Sequence, residues 1–352
     1  MKILVVHTWL KGNLGDVLQA SVLMRALREL DPTTLDLAGF PAQPGPGTDE
    51  LLALADRHVP EPFVWYWRYA PSVARRLALE PGWRRWRRAL FSKYDVIVSA
   101  PGPFLAAYDL RLPSALCDIG VAADLGMPFV LSSHSIGPVP PEALDVIRGA
   151  TLCVARESRT HDYLARHGVD SVLSADLAFL YPYRDRLDAG RASPFSGQYR
   201  LLFLRSNNLR PRDISFERGE LRCGSLRATL APGERLVLAT SDARRDERFL
   251  RELGRRLGVP DVACRSVAEL VALVAGSTGV ISDRYHPAIC AAALEKPAEV
   301  LINHEPHKMH GLQDLLRRHE LENLRSLARA GLESVRATLQ RTPDLLKTAE
   351  QA

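Results

Sequence analysis

The stretch Gly279-Val280-Ile281-Ser282-Asp283-Arg284-Tyr285-His286-Pro287-Ala288-Ile289-Cys290-Ala291-Ala292-Ala293 changes character midway. Its first residues form a short apolar run suited to a strand buried on both faces. Four polar or aromatic residues follow, and Pro287 then opens a run of small residues suited to a helix packed closely on a sheet. A strand that turns directly into a helix is the repeating unit of a doubly wound parallel sheet. Arg284 and His286 stand at the carboxyl edge of that strand beside a helix N-terminus, where unpaired N–H groups and the helix dipole favour an anion. The structural alternative is an Asp283–Arg284 ion pair with His286 as a hydrogen-bonding group at the helix start.

The same unit recurs outward from this stretch. Residues 2–7 are a β-branched and aliphatic run, followed by the turn Gly12-Asn13-Leu14-Gly15-Asp16 and a helical pattern through Val17, Leu18, Val22, Ala26 and Leu30. Short apolar runs return at 95–99, 128–132, 152–155 and 172–174. Periodicity is lost over 181–199, and a second series begins at 200–204, 235–239, 279–282 and 298–302. The fold class expected is α/β, with two Rossmann-like domains whose parallel sheets face a cleft. An N-terminal domain over 1–185, a linker over 186–199, a C-terminal domain over 200–320 and a helical tail over 321–352 follow from these breaks. A chain of 352 residues suits two such domains.

Composition narrows the class further. A hydrophobic fraction of 46% with 25% charged residues excludes disordered, collagen-like and disulfide-framework chains. The five cysteines are scattered without metal-ligand spacing. The apolar run at the N-terminus is too short for a signal peptide, and none is long enough for a membrane span, so a cytoplasmic protein is expected. The net charge of +5 is concentrated in residues 65–93, which hold eight basic residues against Glu80 alone, and four of the five tryptophans lie in the same segment. Indoles interleaved with arginines suit an anionic membrane surface, giving an expected peripheral contact through 63–93. The competing reading is a solvated basic helix, or arginines stacked on aromatics within the N-terminal domain. No recognition motif accompanies the patch, so nucleic acid is not an expected partner.

Further candidates stand at other strand ends. Arg156, in Val154-Ala155-Arg156-Glu157, has the planar fork that binds a carboxylate or phosphate; its alternative is a surface pair with Glu157 or Asp162. His134 and Gly137 lie in Ser133-His134-Ser135-Ile136-Gly137-Pro138, where small residues permit close approach of a ligand. Asn13 and Asp16 lie in the first turn, with Asp16 either a ligand contact or a helix cap. Only two glycines occur there, whereas a dinucleotide fingerprint needs three, so no nucleotide cofactor is expected. Lys308 follows the run at 298–302 and places a cation near the same edge. His304, His307 and His310 are close in sequence, but Pro306 breaks any shared helical face and no metal site is expected.

Together these pieces resemble the polysaccharide pyruvyl transferase family over most of residues 1–315. The resemblance rests on Gly12-Asn13-Leu14-Gly15-Asp16, Ile136-Gly137-Pro138, Ala155-Arg156-Glu157 with Tyr163-Leu164, Asp176-Leu177-Ala178-Phe179, Asp283-Arg284-Tyr285-His286 and Lys308-Met309-His310-Gly311-Leu312. It departs at Ala100-Pro101-Gly102-Pro103, where the family has a Gly-Gly pair, and at Asp176-Leu177, where it has Asp-Pro. The resemblance implies a GT-B-like arrangement. It also implies transfer of the enolpyruvyl unit of phosphoenolpyruvate, as donor substrate and without a cofactor, onto a sugar or lipid-linked glycan as a pyruvate ketal. His286 would then be the general acid/base, Arg284 and Lys308 would hold phosphate, and Arg156 would hold carboxylate. The alternatives are a GT-B glycosyltransferase using a nucleotide sugar, or a non-catalytic sugar-binding relative.

Overall fold

A computed structural model describes residues 1–40, 44–45, 47–61, 73–107, 109, 111–188, 193–206, 211–224, 226–302 and 306–342. The first half of the chain supplies β1 (Lys2–Trp9), β2 (Thr34–Phe40), β3 (Arg57–Pro60), β4 (Val96–Ser99), β5 (Gly102–Leu105), β6 (Phe129–Ile136), β7 (Leu152–Ala155) and β8 (Val172–Leu173). They form one parallel sheet in the order β3-β2-β1-β4-β6-β7-β8, with β5 paired to β6. The second half supplies β9 (Tyr199–Phe203), a small antiparallel sheet of β10 (Ile214–Glu217), β11 (Glu220–Cys223) and β12 (Leu226–Thr229), and then β13 (Arg235–Thr240), β14 (Asp261–Ala263), β15 (Gly279–Ser282) and β16 (Ala298–Val300). Its parallel sheet runs β14-β13-β9-β15-β16.

Central strands explain why the apolar runs were continuous rather than alternating. In β1, Ile3 and Val5 enter one core and Leu4 and Val6 another, all fully buried, because helices cover both faces of the sheet. The first of these cores continues through Leu201, Val237, Val280 and Ala288 of the second half, so the two sheets share apolar contacts. The sequence reading did not anticipate β2, β3, β5, β14 or the antiparallel sheet, most of them strands of three or four residues.

The last described helix, Leu321–Gln340, packs on β6, β7, β8 and the 3₁₀ turn Leu177–Leu180, all belonging to the first half. Gly331 lets it approach the strand end closely: a Cβ there would lie 2.2 Å from Ser174 Oγ. The 3₁₀ turn, capped by Asp176, also meets the helices Leu14–Arg28 and Tyr285–Ala293.

The basic aromatic segment is partly interior. Trp83 and Arg87, on the helix Val73–Phe91, are 0% and 1% exposed. The Trp83 indole donates to Asp118 Oδ1 at 3.0 Å, and the Arg87 guanidinium stacks 4.5 Å from the Trp83 ring between Glu61 and Asp118. These two residues are therefore unavailable to a membrane face, and for them the stacked-arginine reading holds. Arg85 is exposed, and Arg84 and Arg88 both pair with Asp124. Trp65, Trp67 and Arg68 lie outside the described residues, as do the side chains of Arg75 and Arg76. Among the described residues no helix is long and apolar enough to cross a membrane.

Candidate active site

The deciding stretch folds as a strand, a two-residue turn and a helix. β15 ends at Ser282, whose hydroxyl accepts from the Arg284 backbone N–H (2.9 Å) and donates to the Arg284 carbonyl (2.7 Å), closing the turn. The helix then runs Tyr285–Ala293, two residues earlier than Pro287 suggested, with Pro287 in its first turn where no N–H is missed. The small residues Ala288, Cys290 and Ala291 are completely buried against the sheet.

Arg284 is 8% exposed at the N-terminus of this helix. Its Nη2 donates to Asp246 Oδ2 and its Nη1 lies 3.9 Å from Asp242 Oδ2, while its Nε has no hydrogen-bond partner. Asp242 and Asp246 come from the end of β13 and the helix Ala243–Leu257, so this edge is assembled by two adjacent βα units. Burial pulls the Arg284 guanidinium down to about 10, opposed by Asp242 and reinforced by the neighbouring cations Arg205 and Arg245. It stays charged at neutral pH, with Arg205 just past β9 and Arg245 in the first turn of Ala243–Leu257 as neighbouring cations.

His286 is 7% exposed and is held between the two halves of the chain. On one side its Nε2 lies 3.7 Å from Asp176 Oδ2 and has no hydrogen-bond partner. On the other, its ring presses on Gly15: a Cβ at that glycine would lie 2.0 Å from His286 Nδ1. The turn carrying Gly15 is tied across the cleft, because Leu14 N–H donates to the Ser241 carbonyl (2.9 Å) and Asn13 bridges to Asp242. Asn13 caps the first helix by accepting from Gly15 N–H (3.3 Å), and its amide also donates to Asp16 Oδ2 (2.9 Å). The Asp16 carboxyl is raised, chiefly by burial and also by Asp242, against the opposing charges of His286 and Arg111. Gly15→Ala is accordingly expected to displace the imidazole and lower turnover at least about tenfold, an effect steady-state kinetics would measure beside the thermal midpoint.

Arg156 occupies a different layer from the one expected. It is 1% exposed beneath His286, with Nε donating to Ser135 Oγ (2.7 Å) and Nη1 to Gln19 Oε1 (3.1 Å) and Asp176 Oδ2 (2.8 Å). Its guanidinium also stacks 4.4 Å from the Tyr285 ring. Burial opposes its charge, yet Tyr285, Asp176 and Glu157 hold its pKa above the ordinary value. Burial would raise Asp176 too, but His286 and Arg156 hold it down at about 2. The bonds that Arg156 makes through Nε and Nη1 all go to the floor that carries His286 and Tyr285. The pair with Glu157 is present at 3.6 Å but lies in the interior and not on the surface, and Gln19, Asp176 and Tyr285 are further partners that lie far away in sequence.

The remaining candidates spread around this centre. His134 is fully buried in β6, its Nδ1 3.0 Å from the Gly102 carbonyl and its ring edge-on to Phe104, so it is an interior histidine and not a ligand contact. Burial holds it down at about 3. The unfolded chain takes up this proton near pH 6.5 and the folded chain does not, so stability falls on acidification by about 1.4 kcal/mol per pH unit between those values. Urea unfolding at pH 7 and pH 5 is expected to show a loss smaller by about 2 kcal/mol in His134→Gln than in the unaltered protein. Gly137 N–H donates to the Leu105 carbonyl at 3.1 Å and serves the sheet edge. Lys308 is half-buried in the first turn of the helix Pro306–Arg318, which leans on the first half through Gly311 against Glu157 and Asp314 with Arg159 (2.9 Å). Of the three histidines weighed as ligands, His304 lies outside the described residues, and His307 meets the Tyr163 ring edge-on. Among the described residues no group of three His, Cys, Asp or Glu converges as a metal site.

What the geometry offers is an imidazole between two carboxylates, beside the buried Arg284 with the half-buried Arg205 and the exposed Arg245 as its neighbours, where two parallel sheets meet. A family model described as polysaccharide pyruvyl transferase matches residues 13–305. No curated protein sequence gave a match. Among solved structures, UDP-GlcNAc 2-epimerase from Neisseria meningitidis, bound to UDP-GlcNAc, superposes with a TM-score of 0.54 at 11% identity, covering 97% of this chain and all of the other. The Methanocaldococcus jannaschii enzyme gives 0.54 at 12% identity over the same shares, and UDP-N-acetylglucosamine 2-epimerase from Rickettsia bellii gives 0.54 at 11% with both chains fully covered. At these identities the likeness is one of fold, a GT-B-like pair of α/β units.

Proposed function

Since the chain belongs to the polysaccharide pyruvyl transferase family, a family of transferases, we propose that it moves the enolpyruvyl unit of phosphoenolpyruvate onto a sugar or glycan as a pyruvate ketal. The observation that carries this reading is His286 held between Asp176 and the Gly12–Asp16 turn, with Arg284 at the same helix start. The donor bears a phosphate and a carboxylate, and the helix N-terminus at Arg284, with Arg205 and Arg245 beside it, suits the phosphate. Lys308 is its second cation in this reading, and Arg156 acts by fixing Asp176 and Tyr285 rather than by touching substrate.

The chemistry balances around one proton donor. A proton goes to the methylene carbon of phosphoenolpyruvate, a sugar hydroxyl bonds to the adjacent carbon and gives up its proton, and the carbon–oxygen bond to phosphate breaks. A second hydroxyl then closes the ketal on the same carbon, and its proton leaves with phosphate. An imidazole can both give and take a proton, which suits both stages, and Asp176 behind it stabilises the imidazolium. Asp16, with its carboxyl raised, is suited to accept the proton of the incoming hydroxyl. A lipid-linked acceptor would bring the protein to a membrane surface, where Arg84, Arg85 and Arg88 remain on the outside of their helix.

Mass spectrometry of candidate glycans after incubation with phosphoenolpyruvate tests the reading: the mass gain of a pyruvate ketal with matching phosphate release is expected. Absence of both, together with thermal stabilisation by a nucleotide sugar and none by phosphoenolpyruvate, would favour the glycosyltransferase alternative.

A further inference from the structure

Among the buried residues of the helix Leu14–Arg28, only Gln19 and Ser21 are polar. The Ser21 hydroxyl is spent inside the helix on the Val17 carbonyl (2.7 Å), whereas Gln19 reaches out of it. Gln19 is 0% exposed and stands one turn after Asp16 on the same face. An amide buried this completely is costly unless its polar atoms are met. Its Oε1 accepts from Arg156 Nη1 at 3.1 Å. Its Nε2 donates to the Pro101 carbonyl at 3.1 Å and, over a longer 3.5 Å, to Asp16 Oδ1. A guanidinium only donates, and a carbonyl or carboxylate only accepts, so these partners fix which end of the amide is oxygen.

The placement of this amide joins two parts of the site. On its oxygen side, Arg156 also holds Asp176 (2.8 Å), whose Oδ2 lies 3.7 Å from His286 Nε2. On its nitrogen side stands Asp16. An arc of contacts therefore runs from His286 through Asp176, Arg156 and Gln19 to Asp16, joining the carboxylates on the two sides of the imidazole. Gln19 is the uncharged link: it offers oxygen to the cation and N–H to the anion, and settles both without adding charge. Asp16 is faced from other elements by His286, by Arg111 ahead of the helix Leu112–Asp124, by Asp242 at the end of β13 and by Arg284, and its Oδ2 takes the Asn13 amide at 2.9 Å. The Pro101 carbonyl belongs to Ala100-Pro101-Gly102-Pro103, where this chain departs from the family's Gly-Gly pair, so that departure rests directly on Gln19.

We propose that Gln19 is a positioning residue of this site, whose amide couples Asp16 to the Arg156–Asp176 floor under His286 and favours the ionised form of Asp16 that takes the hydroxyl proton. The role of Asp16 as proton acceptor rests on the pyruvyl transfer reading; the coupling of Gln19 to Asp16 does not.

Carbon-13 NMR titration of the Asp16 carboxyl in the full chain, beside the pH profile of kcat/KM, tests it. A base works only when ionised and loses that form as pH falls through its pKa, so a raised pKa moves the acid limb of the profile to higher pH. Gln19→Met removes the N–H donor without adding charge, and is expected to move the titration and the acid limb up by about half a pH unit. It is also expected to lower kcat at least about fivefold with the phosphoenolpyruvate KM within about twofold. Gln19→Glu keeps a partner for Arg156, which supports the fold, but turns an oxygen toward Asp16. Arg156 favours the ionised form of the new carboxylate, so Asp16 takes the proton, and an upward shift of at least about one pH unit is expected. An amide with a structural part alone would lower the thermal midpoint and move neither titration nor profile. An Asp16 titration that moves in neither variant overturns the proposal, and so does one that moves in Gln19→Glu but not in a folded Gln19→Met, where added charge alone would be at work. Movement in both variants while phosphoenolpyruvate is never consumed would sink the pyruvyl reading and leave the coupling standing. Pyruvyl transfer with an unmoved acid limb and titration would do the reverse.

Discussion

His286→Ala is expected to lower pyruvyl transfer by about 10²–10⁴-fold with the fold intact, the range that removal of a positioned general acid and base produces. In the proposed reaction the imidazole is the proton carrier, with a carboxylate on either side of it. Asp176 behind it is held ionised at about 2, and Asp16 in front is the only other acid that the Gly12–Asp16 turn brings to the same place. The ring makes no short hydrogen bond through Nε2, which stands 3.7 Å from Asp176 Oδ2, and Arg156 still holds Asp176 when the imidazole is removed. Circular dichroism and a thermal midpoint close to that of the unaltered protein should accompany the kinetic loss. Turnover at the original rate in a folded variant would falsify the assignment.

Arg156→Met should behave in the opposite way, costing about 3–5 kcal/mol of stability because Asp176 and Glu157 would be left as buried, uncompensated carboxylates. Both acids are completely buried, and Ser135 and Gln19 would lose their shared donor as well. Arg156→Lys is not expected to restore the loss, since an ammonium cannot span Ser135, Gln19 and Asp176 together. Denaturant unfolding measures the effect. An arginine that gripped a ligand would instead raise KM and leave unfolding unchanged, and that outcome would return Arg156 to the substrate.

The contrast between these two residues shows what a sequence can and cannot carry. The change from apolar run to Pro287 and small residues placed Arg284 and His286 at a strand edge, because strand and helix periods are local. The Gly12–Asp16 turn was legible for the same reason. Whether a side chain at a strand edge faces the cleft or the floor depends on what lies beneath it, and for Arg156 that is Gln19, Asp176 and Tyr285, from three distant segments. Asp242 and Asp246 went unnoticed because nothing near them in sequence announces Arg284. The first strand was read two residues short because the apolar run stops at His7, while the strand continues past its bend to Trp9.

The helix Leu321–Gln340 has a consequence for the order of events on the ribosome. It covers β6, β7, β8 and the turn that holds Asp176, yet it follows every strand of the second sheet in the chain. The first sheet must therefore leave that surface bare until the second sheet has been synthesised. Although amino-terminal domains usually finish folding first during synthesis, here the first sheet is covered by a helix that comes after the second, and a fragment ending near residue 185 would expose the apolar seat of this helix.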